Sequence, residues 1–129
     1  MSNIRSLAVD FDGTLCEEKF PEIGEIKPEH QTIINYIRAQ HAVGVKIVLW
    51  TCREDLPERK YLTEAVDFCK KHDIPIDFVN EYENPDFPGQ KGRKPSVDVF
   101  IDDRAICPSM ISNEYNRLLE TAYKNERRR

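Results

Sequence analysis

The chain has 129 residues, 40% of them hydrophobic and 33% charged, with a formal net charge of −4. That length suits one domain built on one core. The acidic balance speaks for a soluble protein and against a general nucleic-acid binder, and no apolar run approaches the roughly 20 residues of a membrane span. The N-terminus shows no signal-peptide apolar region, so a cytoplasmic location is expected. Cys16, Cys52, Cys69 and Cys107 stand apart from one another, without the close pairing of a metal site. Reduced thiols are the expectation in that compartment.

Taken in order, Arg5 to Asp10 reads as a first strand around the apolar run Leu7-Ala8-Val9. Residues 11–26 are irregular, with Gly13, Pro21 and Gly24 as turn residues. Pro28 suits the first turn of a helix. Ile33, Ile34, Ile37 and Val43 share a helical face there, and Gly44 ends it. Lys46 to Thr51 is a second strand, consecutively apolar from Ile47 to Trp50, as if covered on both faces. A helix opening at Pro57 carries Tyr61, Leu62, Ala65, Val66, Phe68 and Cys69 at helical spacing. Residues 74–79 form a third strand, shortened by Pro75. Residues 80–95 form a loop punctuated by Pro85, Pro88, Gly89 and Gly92. Residues 97–102 form a fourth strand, and Ile111, Tyr115, Leu118, Leu119 and Ala122 mark a final helix. This order predicts an α/β fold, Rossmann-like and three-layered, with a mainly parallel central sheet and helices on both faces. No internal repeat or linker interrupts it, so residues 1–129 are expected to form a single domain.

In such sheets ligands bind beyond the carboxyl ends of the strands, near a switch in strand order. The first strand ends at Asp10, the second at Thr51, and the fourth at Asp102 and Asp103. Three of four strands thus deliver an oxygen-bearing side chain to one edge, while the third, ending near Asn80, is less telling. Carboxylates gathered there need a cation, a metal or hydrogen-bond donors. A hard divalent ion such as Mg2+ prefers oxygen ligands. Asp10, Asp12, Thr51, Lys94 and the Asp102-Asp103 pair together supply what phosphoryl transfer needs. Asp10 and Asp102 can ligate a metal that neutralises phosphate oxygens, and a main-chain carbonyl near Asp12 can join them. One carboxylate can attack phosphorus, and a second can protonate the leaving oxygen. Thr51 offers a hydroxyl donor, Lys94 a compact positive charge, and Asp103 a hold on a metal-bound water.

The run Asp10-Phe11-Asp12-Gly13-Thr14 resembles the first motif of the haloacid dehalogenase-like hydrolases, most of which are Mg2+-dependent phosphatases. Thr51 after Ile47 to Trp50 resembles the second motif, Lys94 the third, and Ile101-Asp102-Asp103 the fourth. In particular the chain is similar to a small capless subgroup, through Leu49-Trp50-Thr51-Cys52-Arg53-Glu54 and Phe100-Ile101-Asp102-Asp103-Arg104. The resemblance implies a Mg2+-dependent phosphomonoester hydrolase working through an aspartyl-phosphate. Asp10 is then nucleophile and metal ligand, and Asp12 the general acid/base, giving its backbone carbonyl to the metal. Asp102 is a metal ligand, and Asp103 a direct or water-mediated one. Thr51 holds the phosphoryl oxygen, Lys94 orients Asp10, and Thr14 orients Asp12 or its loop. Gly13, Thr51, Cys52, Arg53 and Lys94 are the substrate-binding candidates. Arg93 is the adjacent alternative to Lys94, and surface charge or a structural ion pair is the plainer reading of Arg53 and Arg104.

The segments where this family inserts a cap, residues 15–27 and 53–93, leave no room for one. The site is therefore expected to be open unless loops or a neighbouring subunit cover it, which makes homo-oligomerisation a route to closure. The expected partner is a phosphorylated small molecule. A phosphorylated macromolecule (a nucleic-acid end or a phosphoprotein) is the alternative, and a non-catalytic phospho-accepting or phosphate-binding domain a further one. His30, His41 and His72 read as solvated helix residues, Cys69 as helix core, and Arg127 to Arg129 as a solvated helix end. Tyr82 and Phe87 in the long loop suit either stacking on a ligand or packing over the core.

Overall fold

The computed structural model describes residues 4–90, 92–106 and 108–127. Four strands, β1 (Ser6–Val9), β2 (Lys46–Leu49), β3 (Phe78–Val79) and β4 (Val99–Ile101), form one sheet in the order β3-β2-β1-β4. All three pairings are parallel. Three helices follow in sequence: α1 (Pro28–Ala42), α2 (Tyr61–Lys71) and α3 (Ile111–Arg127), the last preceded by a short 3-10 turn at Pro108–Met110. The fold is α/β and Rossmann-like, as expected. No helix among the described residues is long and apolar enough to cross a membrane.

The register places Leu7, Val9, Ile47, Leu49, Val99 and Ile101 on one face of the sheet. That face carries the core, where Ile34 and Ile37 of α1 and Ala65 and Cys69 of α2 pack with Phe11 and Leu15 of the first loop. Phe11 meets Phe68 of α2 edge-on, with ring centroids 5.6 Å apart, the T-shaped arrangement that aromatic quadrupoles favour. The opposite face holds Ala8 and Val48, both buried, flanked in register by Phe78 and Phe100. Here the connection from β3 to β4 supplies the cover: Tyr82 packs on Phe78, and the Lys94 ammonium lies 4.8 Å from the Phe100 ring centroid.

The strands are shorter than their apolar runs suggest. Before β3, Pro75 has no N–H for a ladder, and the pairing of this stretch passes instead to Asp77. Its N–H donates to the Ile47 carbonyl and its carboxylate accepts the Ile47 N–H. Helix α2 begins at Tyr61, later than Pro57, because Asp55 accepts both the N–H and the hydroxyl of Thr63 and pins the start there. Gly44, at φ +95°, ends α1 in the left-handed conformation that glycine adopts without penalty.

Two histidines depart from the solvated reading. His30 is buried, and its Nδ1 accepts the Lys27 N–H at 2.9 Å, capping the start of α1. His72, just past α2, packs its ring 4.3 Å from that of Phe68. His41 is exposed, beside Asp77 at 3.4 Å. Helix α3 carries its apolar residues at the expected spacing, yet none of them is buried: Leu118 is 68% and Tyr123 60% exposed. Cys16 and Cys69 are buried free thiols, and burial pushes them up to about 11 and about 12. Cys107, Lys91, Arg128 and Arg129 lie outside the described residues.

Candidate functional site

The strand order reverses between β1 and β4: from β1 the chain runs outward through β2 to β3, then returns to the other side of β1. Asp10 leaves β1 at this point, its N–H donating to the Ile101 carbonyl of β4 at 2.9 Å. Asp102 and Asp103 leave β4 beside it. One ligand-capable atom from each of Asp10, Asp102 and Asp103 lies within 4.8 Å of the others. Asp10 is half-buried while its two partners are exposed. Burial, and then the nearby Asp102 and Asp103 charges, lift the Asp10 carboxyl from 3.8 to about 7. Three carboxylates at this spacing repel one another, and a hard cation with oxygen ligands is what their chemistry fits.

The first loop is folded to make that approach. Gly13 takes φ +87°, and a Cβ there would collide with the Asp103 carboxylate. Gly13 was a substrate-binding candidate, but its N–H donates to the Cys16 carbonyl at 2.9 Å. Its contribution is the close passage of the loop past β4. Thr14, buried, joins the two strand ends: its hydroxyl lies 3.5 Å from an Asp10 carboxylate oxygen and accepts the Asp103 N–H at 3.2 Å. It therefore orients Asp10 rather than Asp12.

Asp12 stands apart from the carboxylate trio. Its side chain forms a bidentate pair with Arg53, Nε and Nη2 each reaching one oxygen at 2.8 Å. The Arg53 side chain is 1% exposed. Its other contacts go to the carbonyls of Pro21, Glu22 and Tyr61, and its guanidinium also lies against the Phe11 and Phe20 rings. The surface reading of Arg53 is thus overturned and the ion-pair reading holds. Its side-chain donors are engaged within the protein, and the residue also borders the cleft beside Thr51. Arg104 is exposed, and its N–H donates to the Asp102 carboxylate.

Thr51 follows β2 as expected. Its N–H donates to the Asn80 side-chain oxygen at 2.8 Å, and its hydroxyl oxygen accepts the Arg53 N–H at 3.1 Å. The hydroxyl proton is left to donate elsewhere. Asn80 is the residue that sequence reasoning undervalued. It ends β3 at φ +58°, a conformation asparagine tolerates better than most residues, and so turns its amide toward Thr51. An asparagine closing a short strand was the available signal.

Lys94 does not join the trio. It is exposed, its ammonium sits on the Phe100 ring, and no ion pair links it to Asp10 among the described residues. The cation–π contact draws the side chain along β4 instead of across the strand ends. Arg93, the adjacent alternative, lines a cleft of about 930 Å³ shared with Thr51 and the exposed Cys52.

No family model matches the sequence, and no curated protein matches it. One solved structure does. It is described as the structure of the conserved protein coded by a locus from Bacteroides thetaiotaomicron, and it is 29% identical to this chain. The match covers 87% of this chain and 93% of that one, with a TM-score of 0.65. The likeness supports the Rossmann-like architecture over nearly the whole of both chains.

Proposed function

We propose that the protein is a Mg2+-dependent phosphomonoester hydrolase of the haloacid dehalogenase-like type, with Asp10 as nucleophile. The observation that carries this reading is the convergence of Asp10, Asp102 and Asp103 at the reversal of strand order, within 4.8 Å of one another. Thr51 follows β2, the strand paired with β1, and Asp12 lies two residues beyond Asp10 in the first loop. Asp10, Asp102 and the Asp12 carbonyl, with Asp103 directly or through water, would hold the ion. When bound it offsets the negative charge that otherwise keeps an anionic nucleophile from an anionic phosphate.

A carboxylate oxygen of Asp10 attacks phosphorus, and the bond to the ester oxygen breaks with its electron pair. Asp12 gives that oxygen its proton, so the alcohol leaves neutral. In the second step the Asp12 carboxylate takes a proton from water and the water oxygen attacks phosphorus. The bond to Asp10 breaks, releasing phosphate and restoring both aspartates. Thr51 donates its hydroxyl proton to a phosphoryl oxygen. Arg53 fixes the position from which Asp12 acts, and Thr14 that of Asp10.

The test is turnover of p-nitrophenyl phosphate with Mg2+. Asp10→Asn is expected to lose at least about a thousandfold in kcat, and a chelator to abolish activity until Mg2+ is restored. An Asp10→Asn protein within tenfold of wild type would rule out the covalent route. A phosphorylated Asp10 that persists without phosphate release would instead point to a phospho-accepting domain.

A further inference from the structure

The cleft beside Thr51 is far larger than a phosphate group requires. At about 930 Å³ it lies at the upper end of the range for sites that enclose a drug-sized ligand. It opens on the sheet face opposite α1 and α2. Trp50 continues the β2 ladder on that face, its N–H donating to the Val9 carbonyl. It therefore stands one strand spacing, roughly 4.8 Å, from the chain at Asp10.

Two properties of the walls define what fits. The first is aromatic: Trp50, Phe78 and Tyr82 all line the cleft. Phe78 is 40% exposed, and Tyr82 braces it edge-on at 5.2 Å. Asn80 and Gln90 add amides to the lining. The second is charge. Among the described lining residues, Glu54, Glu81 and Glu83 face two guanidinium groups, and the one on Arg53 is already committed to Asp12. Among the described lining residues this leaves Arg93 to meet one anionic group, beside three carboxylates.

We propose that this cleft receives the leaving group of the hydrolysed ester, and that it selects the monophosphate of an uncharged, flat-ringed alcohol of about nucleoside size. This rests on the hydrolase reading above and narrows its substrate class. Rings stack on the aromatic wall, the amides meet ring edges or hydroxyls, and the three glutamates exclude alcohols that carry a second phosphate.

The test compares wild type and Tyr82→Ala, each with Mg2+, on four esters. These are p-nitrophenyl phosphate, a nucleoside 5′-monophosphate, glycerol 3-phosphate and a nucleoside 3′,5′-bisphosphate. Wild type is expected to show the lowest KM on the two singly phosphorylated ring-bearing esters. Tyr82→Ala is expected to raise that KM about tenfold, the worth of one stacking contact, with kcat held within about twofold. Its kcat/KM should fall less on glycerol 3-phosphate than on the ring-bearing esters. Glu81→Gln combined with Glu83→Gln should raise kcat/KM on the bisphosphate relative to the monophosphates. A preference for the nucleoside ester over the aryl one identifies a nucleotide substrate, and the reverse order a simple aryl ester; either supports the assignment. Wild-type hydrolysis of all four esters without ring preference, or an equal loss on every ester in Tyr82→Ala, overturns the cleft assignment and leaves the hydrolase reading standing. No hydrolysis of any ester overturns both.

Discussion

Asp12 and Arg53 lie 41 positions apart in the sequence, yet they form the most enclosed ion pair of the described residues, at 1% and 16% side-chain exposure. Removing one partner of such a pair leaves the other charge uncompensated. Arg53→Ala is therefore expected to destabilise the fold by about 3 kcal/mol, read from urea unfolding. Arg53→Lys should recover only part of that, because an ammonium cannot make the two parallel bonds of the guanidinium fork. Asp12→Ala with Arg53→Ala should cost clearly less than the sum of the single changes; strict additivity would show that the pair contributes nothing of its own. The two residues were each visible in the sequence, one in an acidic motif and one after a strand. Their partnership was not, since nothing local marks which buried cation a loop carboxylate will meet. The same holds for Lys94, whose sequence position before β4 left open whether it turns toward Asp10 or lies along Phe100.

Among the elements, helices α1 and α3 carry the same kind of apolar spacing with opposite outcomes. In α1, Ile34 and Ile37 are sealed against β1 and β2, and Ile37→Ala should cost about 2–5 kcal/mol through the cavity it leaves. In α3 no residue is buried. Leu118→Ala should change stability by less than about 0.5 kcal/mol, and the contrast between these two variants in one urea titration checks the arrangement. A larger loss at Leu118 would mean that this face is covered in solution. Periodicity tells which side of a helix is apolar, so both helices were legible. It does not tell whether a sheet face lies within reach. Strand ends were more legible than strand lengths: the runs Leu7 to Val9, Ile47 to Leu49 and Val99 to Ile101 announced themselves, whereas the substitution of Asp77 for a ladder residue before β3 depends on a partner on β2.

For the molecule as a whole, gathering three acids at one edge sets a charge balance that pH can read. The Asp10 carboxyl is raised from 3.8 to about 7, first by burial and then by Asp102 and Asp103. A group whose folded value lies above its unfolded one holds an extra proton in the folded state between the two. Its contribution to stability is present at the acid end and is lost as pH rises through about 7. In chelator, wild type is therefore expected to lose on the order of 1–3 kcal/mol relative to Asp10→Asn between pH 4 and pH 8. Comparing the two proteins cancels the surface carboxylates of Glu22, Glu25 and Glu64, which surface arginine and lysine partners hold low. Thermal melting across that range checks the sign, and added Mg2+ should restore the wild-type melting point at the alkaline end. A wild-type curve parallel to that of Asp10→Asn would show that the Asp10 carboxyl is not raised in the folded protein. The fold-level logic was accessible from sequence because a parallel sheet obliges its strand ends to share an edge. The cleft was not, because it depends on where Tyr82, Gln90 and Arg93 come to lie beside Trp50 and Phe78.

That cleft also contains the only tryptophan of the chain. Every photon of indole emission from this protein comes from a ring in the wall where the alcohol half of a substrate would rest, one residue before Thr51. Occupancy can thus be followed by the colour and intensity of native indole fluorescence, with no label and no second tryptophan to subtract, even in an Asp10→Asn protein that turns nothing over.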